Sequence, residues 1–193
     1  MSGLNFFALI SRMKHIKRWG LMRNSEPENL QEHSHMTSVL AHALAVIRRE
    51  IFDGEINPDL CATAALYHDA SEIFTGDLPT PVKYFNPAIR ESYKHVEQVS
   101  AAKLIEMLPA KLRSVYSPFI HEELAPDVLE IVKAADKLAA YIKCVEELRA
   151  GNTEFRKAAE QTRAALLALP LEELRYFEEK FLPSFELTLD ELE

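Results

Sequence analysis

Apolar residues recur at helical spacing along almost the whole chain, and strand-like alternation is nearly absent; this pattern removes most fold classes at once. Asn29 opens the clearest run. It can cap a helix, Glu32 follows three residues on, and Leu30, His33, Thr37, Leu40, Ala41 and Leu44 then share one face. Asn57-Pro58 and Asn86-Pro87 repeat one start signal, a capping Asn before a Pro whose fixed φ and missing N–H suit the first helical position. The second of these helices carries Ile89, Tyr93, Val96, Leu104, Met107 and Leu108 mostly on one face. From about Pro126 a long helix turns Val128, Ile131, Ala135, Leu138, Ile142, Val145 and Leu148 inward and stops at Gly151-Asn152. Two more helices fill about 154–181, separated near Pro170, and a tail with Pro183 follows. In the connection Thr75-Gly76-Asp77-Leu78-Pro79-Thr80-Pro81-Val82, two prolines and a glycine argue against regular helix. The expected fold is all-α, one helical-bundle domain over residues 1–193.

Composition narrows the function classes. Five glycines in 193 residues leave little material for tight β-turns or flexible linkers. Cys61 and Cys144 lie far apart with no CxxC, so neither a disulfide framework nor a thiolate zinc site is expected, and a reducing cytoplasm is the simplest location. Phe6-Phe7-Ala8-Leu9-Ile10 is too short for a signal segment, and no apolar run approaches the ~18 residues of a membrane span. The net charge of −8 conceals an asymmetry, because Arg12, Lys14, Lys17, Arg18 and Arg23 stand among residues 1–25 with no acid. An acidic molecule with one basic corner is a poor binder of nucleic-acid polymers, which need widespread phosphate neutralisation. It suits a single phosphorylated ligand.

The chemistry centres on His68-Asp69. On a helix these neighbours point about 100° apart, so both reach one ion only if other elements complete the set. His33, near the start of its helix, and Asp136, at the margin of the buried face of the long helix, are the candidates. Two imidazoles and two carboxylates suit a divalent transition metal with positions open for water and substrate. Glu72 stands four residues after His68 and three after Asp69, which on a helix brings all three to one side. His15, His35, His42, His95 and His121 lack ligand-spaced partners, and Glu172, Glu173, Glu178 and Glu179 read as a solvated helix face.

The order His33, His68-Asp69, Asp136 in an all-helical chain resembles the H…HD…D signature of HD-domain metal-dependent phosphohydrolases. Arg18-Trp19, Glu32-His33-Ser34, Tyr67-His68-Asp69-Ala70-Ser71-Glu72 and the Thr75–Asn86 segment are similar to the bacterial 5′-deoxynucleotidase family YfbR. The likeness runs through Lys143-Cys144 to Leu182-Pro183-Ser184-Phe185. It implies hydrolysis of deoxyribonucleoside 5′-monophosphates by a cytoplasmic homodimer that needs one divalent ion such as cobalt or manganese. It also implies that His33, His68, Asp69 and Asp136 bind metal, and that Arg18, Trp19, His33, Asp69, Asp77, Leu78, Pro79, Thr80 and Asp136 contact the nucleotide. Glu72, Asp77 and Arg18 would carry turnover.

The residue chemistry agrees with these roles. A divalent ion activates water without a serine or cysteine nucleophile. Glu72 can orient or deprotonate that water, Arg18 offers a planar fork to phosphate, and Trp19 an apolar wall to sugar or base. Asp77 either binds the sugar hydroxyl or protonates the leaving 5′ oxygen. Selection for deoxyribose is expected to be steric, with Trp19 and the prolines filling the space of a 2′-hydroxyl. Two other readings remain at this stage, an HD phosphohydrolase for a cyclic or polyphosphorylated nucleotide and a noncatalytic nucleotide sensor.

Overall fold

The computed structural model describes residues 4–83 and 85–192, except for the Thr80 side chain. Helices make up its regular structure: α1 (Phe6–Ile10), α2 (Leu30–Ile51), α3 (Pro58–Tyr67), α4 (Glu72–Thr75), α5 (Thr80–Lys83), α6 (Pro87–Glu106), α7 (Ala110–Ile120), α8 (Pro126–Arg149), α9 (Arg156–Leu167) and α10 (Glu172–Lys180). Among the described residues the extended pairing is one isolated antiparallel bridge between Lys17 and Asn29. No described helix is long and apolar enough to cross a membrane.

The three asparagine caps form. Asn29 Oδ1 accepts from the backbone of Gln31 and Glu32, both at 3.0 Å, while Glu32 Oε2 accepts from Asn29 N at 3.0 Å. Asn57 and Asn86 accept from Leu60 N at 3.1 Å and Ile89 N at 2.8 Å. Each satisfies donors that the first helical turn leaves without a partner. At the other end of α8, Gly151 takes φ +85°, the left-handed turn that closes a helix.

The chain divides into two compact units, each built from several segments. In the unit formed by residues 1–21, 27–34 and 67–124, Phe6, Ala70, Ala101, Leu104, Ile105, Leu108 and Ile120 make the core. Phe6 meets Tyr116 edge to face, with ring centroids 5.3 Å apart, a geometry aromatic quadrupoles favour. This core fixes the C-terminal half of α6. Ile89 and Val96, which their spacing places with Tyr93 and Leu104 on one face, are exposed, and on the N-terminal half Tyr93 and Glu97 are the half-buried residues. Those two serve the preceding loop: Tyr93 Oη lies 3.3 Å from Thr75 Oγ1, and Lys83 Nζ donates to Glu97 at 2.8 Å.

In the unit formed by residues 22–26, 35–66 and 125–193, α8 is the central element and packs against α9. Val128, Ile131, Ala135, Leu138 and Ile142 are buried as the periodicity predicts. Cys61 and Cys144 are buried and free. Charged residues also lie inside, and Lys143 and Glu147 pair there at 2.5 Å. Glu147 further accepts from Ser25 N at 2.8 Å, Glu26 N at 3.2 Å and Asn152 Nδ2 at 2.7 Å. The C-terminal glutamates differ from expectation. Glu173 is buried and bonded to Arg48 Nε at 2.8 Å, and Glu178 bonds Arg175 at 2.6 Å and also Arg163, so only part of that face is solvated.

Two further differences concern local structure. Thr80–Lys83 does form a helical turn, since Pro81 lies in its first turn, where no N–H is needed. α7 has no clear sequence signal and contains Pro118.

Candidate functional site

His68 and Asp69 lie just beyond α3 rather than on a helix. Ala70 N bonds Tyr67 O at 3.0 Å and Glu72 N bonds Asp69 O at 3.0 Å, so short-range turns replace α-helical pairing. The tight turn still carries both side chains and Glu72 within one short segment. It brings them to His33, which is buried in the first turns of α2.

Asp69 Oδ2 is the meeting point. It lies 3.0 Å from His68 Nε2, 3.8 Å from His33 Nε2 and 3.4 Å from Arg18 Nη1. The two imidazole rings are 5.5 Å apart, and a ligand nitrogen of each lies within 4.8 Å of the other. Burial works to raise the Asp69 pKa, but His68, then His33 and Arg18, overcome it and hold the carboxyl well below its ordinary range. An anionic oxygen beside two buried imidazole nitrogens is a donor set of the kind a divalent transition ion takes. Asp136 is half-buried on α8, in the other unit.

Glu72 is buried to 6% exposure, and its Oε2 has no hydrogen-bond partner among the described residues. Its pKa is pushed up to about 9, first by burial, then by the Asp69 and Asp77 carboxylates, with Arg18 and Lys83 pulling the other way. Asp77 is raised as well, again chiefly by burial. It follows Gly76, whose φ of +73° and ψ of 166° are glycine-only backbone. Asp77, Leu78 and Pro79 are half-buried there. Thr80 belongs to α5, and its side chain is outside the described residues. A cavity of about 240 Å³ adjoins His68, Asp69 and Glu72, with Lys83, Glu97 and His121 also in its wall.

The basic corner contributes one cation to this site. Arg12, Lys14, Lys17 and Arg23 are exposed, whereas Arg18 is partly enclosed and reaches Asp69. Its neighbour Trp19 has φ +56°, a left-handed conformation that bulky residues avoid. Glu28, which sequence reasoning did not single out, touches both: its Oε2 accepts from Arg18 Nε at 3.1 Å and from Trp19 Nε1 at 2.9 Å. Nothing in local sequence marks it except that it immediately precedes the Asn29 cap.

Within its unit, then, the fold assembles Arg18, Trp19, His33, His68, Asp69, Glu72 and Asp77. The arrangement offers imidazole nitrogen and carboxylate oxygen donors, a guanidinium for an anion, and two carboxyls whose pKa values burial raises. A family model described as 5′-deoxynucleotidase YfbR-like matches residues 5–185. A 5′-deoxynucleotidase of Vibrio cholerae is 49% identical over 193 residues, covering 100% of each chain. Among solved structures, an HD-domain phosphohydrolase of Listeria innocua superposes with a TM-score of 0.78 at 23% identity, covering 94% of this chain and 88% of its own. The cyanophage S-2L HD phosphohydrolase DatZ, bound to dA and one catalytic Zn2+ ion, does so at 0.62 and 22%, covering 92% and 96%. The fold is shared with both.

Proposed function

The chain belongs to the YfbR-like family of 5′-deoxynucleotidases, HD-domain phosphohydrolases, and from that premise we propose that it hydrolyses deoxyribonucleoside 5′-monophosphates to deoxynucleoside and phosphate. The observation that carries the reading is the contact of Arg18 with Asp69 beside His33 and His68, a phosphate grip joined to a metal-type donor set. His33, His68, Asp69 and Asp136 are the proposed ligands of one divalent ion, cobalt or manganese. The working form is a cytoplasmic homodimer of single HD domains over residues 1–193, with no nucleic-acid polymer or membrane as partner.

When bound, such an ion polarises a phosphoryl oxygen and lowers the pKa of a water. Arg18 holds the phosphate through the part of its fork that Glu28 does not occupy. Trp19 walls the deoxyribose, and Asp77, Leu78, Pro79 and Thr80 form the rest of the nucleotide contact. Glu72 orients the attacking water and exchanges a proton with it. Its proton state follows the charge beside it: burial favours the acid, a neighbouring cation the carboxylate. Asp77, with its raised pKa, is the group that passes a proton to the leaving 5′ oxygen.

The test is phosphate release from a panel of 5′- and 3′-nucleotides, with and without cobalt, manganese or magnesium, for the parent and His68→Ala. Metal-dependent release from deoxyribonucleoside 5′-monophosphates, lost in the variant, is expected. Release that is metal-independent or survives the substitution would refute the site. Preference for cyclic or polyphosphorylated nucleotides, or binding without release, would replace the substrate assignment. Sedimentation of the parent checks the dimer.

A further inference from the structure

Arg18 and Trp19 are adjacent in sequence, yet nothing in a dipeptide makes two long side chains act together. Here one oxygen does so. Glu28 Oε2 accepts the Arg18 Nε–H at 3.1 Å and the Trp19 indole N–H at 2.9 Å. The backbone delivers it: Arg18 N bonds Glu28 O at 3.0 Å and Leu30 N bonds Ile16 O at 2.9 Å, around the Lys17–Asn29 bridge. The Arg18 and Glu28 side chains are only 12% and 15% exposed, so the pair is shielded from the solvent that weakens surface ion pairs. With Nε on Glu28, the terminal nitrogen Nη1 of the same guanidinium lies 3.4 Å from Asp69 Oδ2. Bonding the indole holds the ring while the Trp19 backbone sits in its disfavoured conformation.

We propose that Glu28 is a positioning residue that locks Arg18 and Trp19 into one unit, so that the phosphate grip and the sugar wall keep a fixed spacing. The reading rests on the nucleotide roles assigned above to those two residues, but the clamp itself can be tested apart from them. What matters is where one oxygen lies, more than the charge it carries. Glutamine retains an acceptor oxygen at the same reach; aspartate retains the charge but withdraws the oxygen by one methylene, about 1.5 Å. A geometric clamp therefore ranks Glu28→Gln near the parent and Glu28→Asp near Glu28→Ala. A purely ionic role gives the reverse order.

Trp19 is the only tryptophan in the chain, so its fluorescence reports the clamp directly. Emission maximum, acrylamide quenching and thermal midpoint are measured for the parent and the three variants, together with kinetics on dAMP in the presence of manganese. Glu28→Ala and Glu28→Asp are expected to shift emission to longer wavelength, to increase quenching, and to raise KM about tenfold, as the loss of hydrogen bonds to a charged group implies. kcat is expected to stay within about threefold. Glu28→Gln should keep the parent emission and a KM within about threefold. Parent-like emission in Glu28→Asp, or a red shift in Glu28→Gln, overturns the clamp; if Glu28→Ala does not fold, these two variants decide. Failure of the parent to hydrolyse dAMP overturns the substrate reading alone, because the emission order still tests the clamp.

Discussion

Replacing Glu72 by glutamine should stabilise the protein while disabling it. The Glu72 carboxyl is 6% exposed and its Oε2 lacks a hydrogen-bond partner among the described residues. Burial and two neighbouring carboxylates push its pKa up from 4.5 to about 9. A raised pKa in the folded state means that the native protein binds the proton more tightly than the unfolded chain does. The contribution of Glu72 to stability is thus fully present below about pH 4.5 and is lost as pH rises toward 9. At pH 7.5 the penalty is three units above the ordinary value at about 1.4 kcal/mol each, roughly 4 kcal/mol as an upper bound. The amide removes that term but must find partners for its own N–H groups, so about half, ~2 kcal/mol, is the expected net gain. For a chain of this size that is a rise of about 4–8 °C in Tm. Thermal unfolding of the chelator-treated parent and Glu72→Gln from pH 5 to pH 9 measures it. The gap should widen with pH, and phosphate release in the metal-loaded variant should be lost. A gap that is absent at pH 8, or larger at pH 5 than at pH 8, would show that the carboxyl is not held in its neutral form.

Other outcomes follow from separate features. Glu147→Ala leaves Lys143 charged and buried and should cost about 3–5 kcal/mol in denaturant titrations. Burial opposes ionisation of Glu147, but bonds from Lys143, Ser25 and Asn152 bring its pKa down to about 2, so its contribution is present above about pH 4.5 and drains away as pH falls toward 2. Gly76→Ala places a side chain at φ +73°, and a loss of about 1–3 kcal/mol with a weakened kcat/KM is expected as Asp77 shifts. Trp19→Ala should lower the ratio of kcat/KM for dAMP over AMP, and a parent-like ratio would exclude the steric account of sugar choice.

Helix starts were legible because a cap is local: Asn29, Asn57 and Asn86 bond donors two or three residues away. So was the inner face of α8 as far as Ile142. Spacing failed where tertiary partners decide. The inward side of early α6 is polar because it braces a loop, and α7 tolerates Pro118. His68-Asp69 pattern as helix, yet a tight turn presents them just as close to Glu72. Glu173 passed as an ordinary surface acid, since its partner Arg48 lies 125 residues away, and Glu147 was not marked at all, although it holds the Ser25 backbone 122 residues away. For the site, the histidines and carboxylates were visible as residue types at suggestive spacing. Arg18 and Trp19 stood out only through family likeness, and Glu28 did not stand out.

The buried Glu147 also bears on how sequences of this family should vary. Its carboxylate grips Ser25 and Glu26 by their backbone N–H groups, and Lys143 takes the Glu26 carbonyl. A peptide group is common to every residue, so the path of this loop is recorded at positions 143 and 147 rather than in the loop itself. Substitutions at Ser25 and Glu26 should drift almost freely, with proline the exception because it has no N–H to offer. The two helix positions should scarcely change.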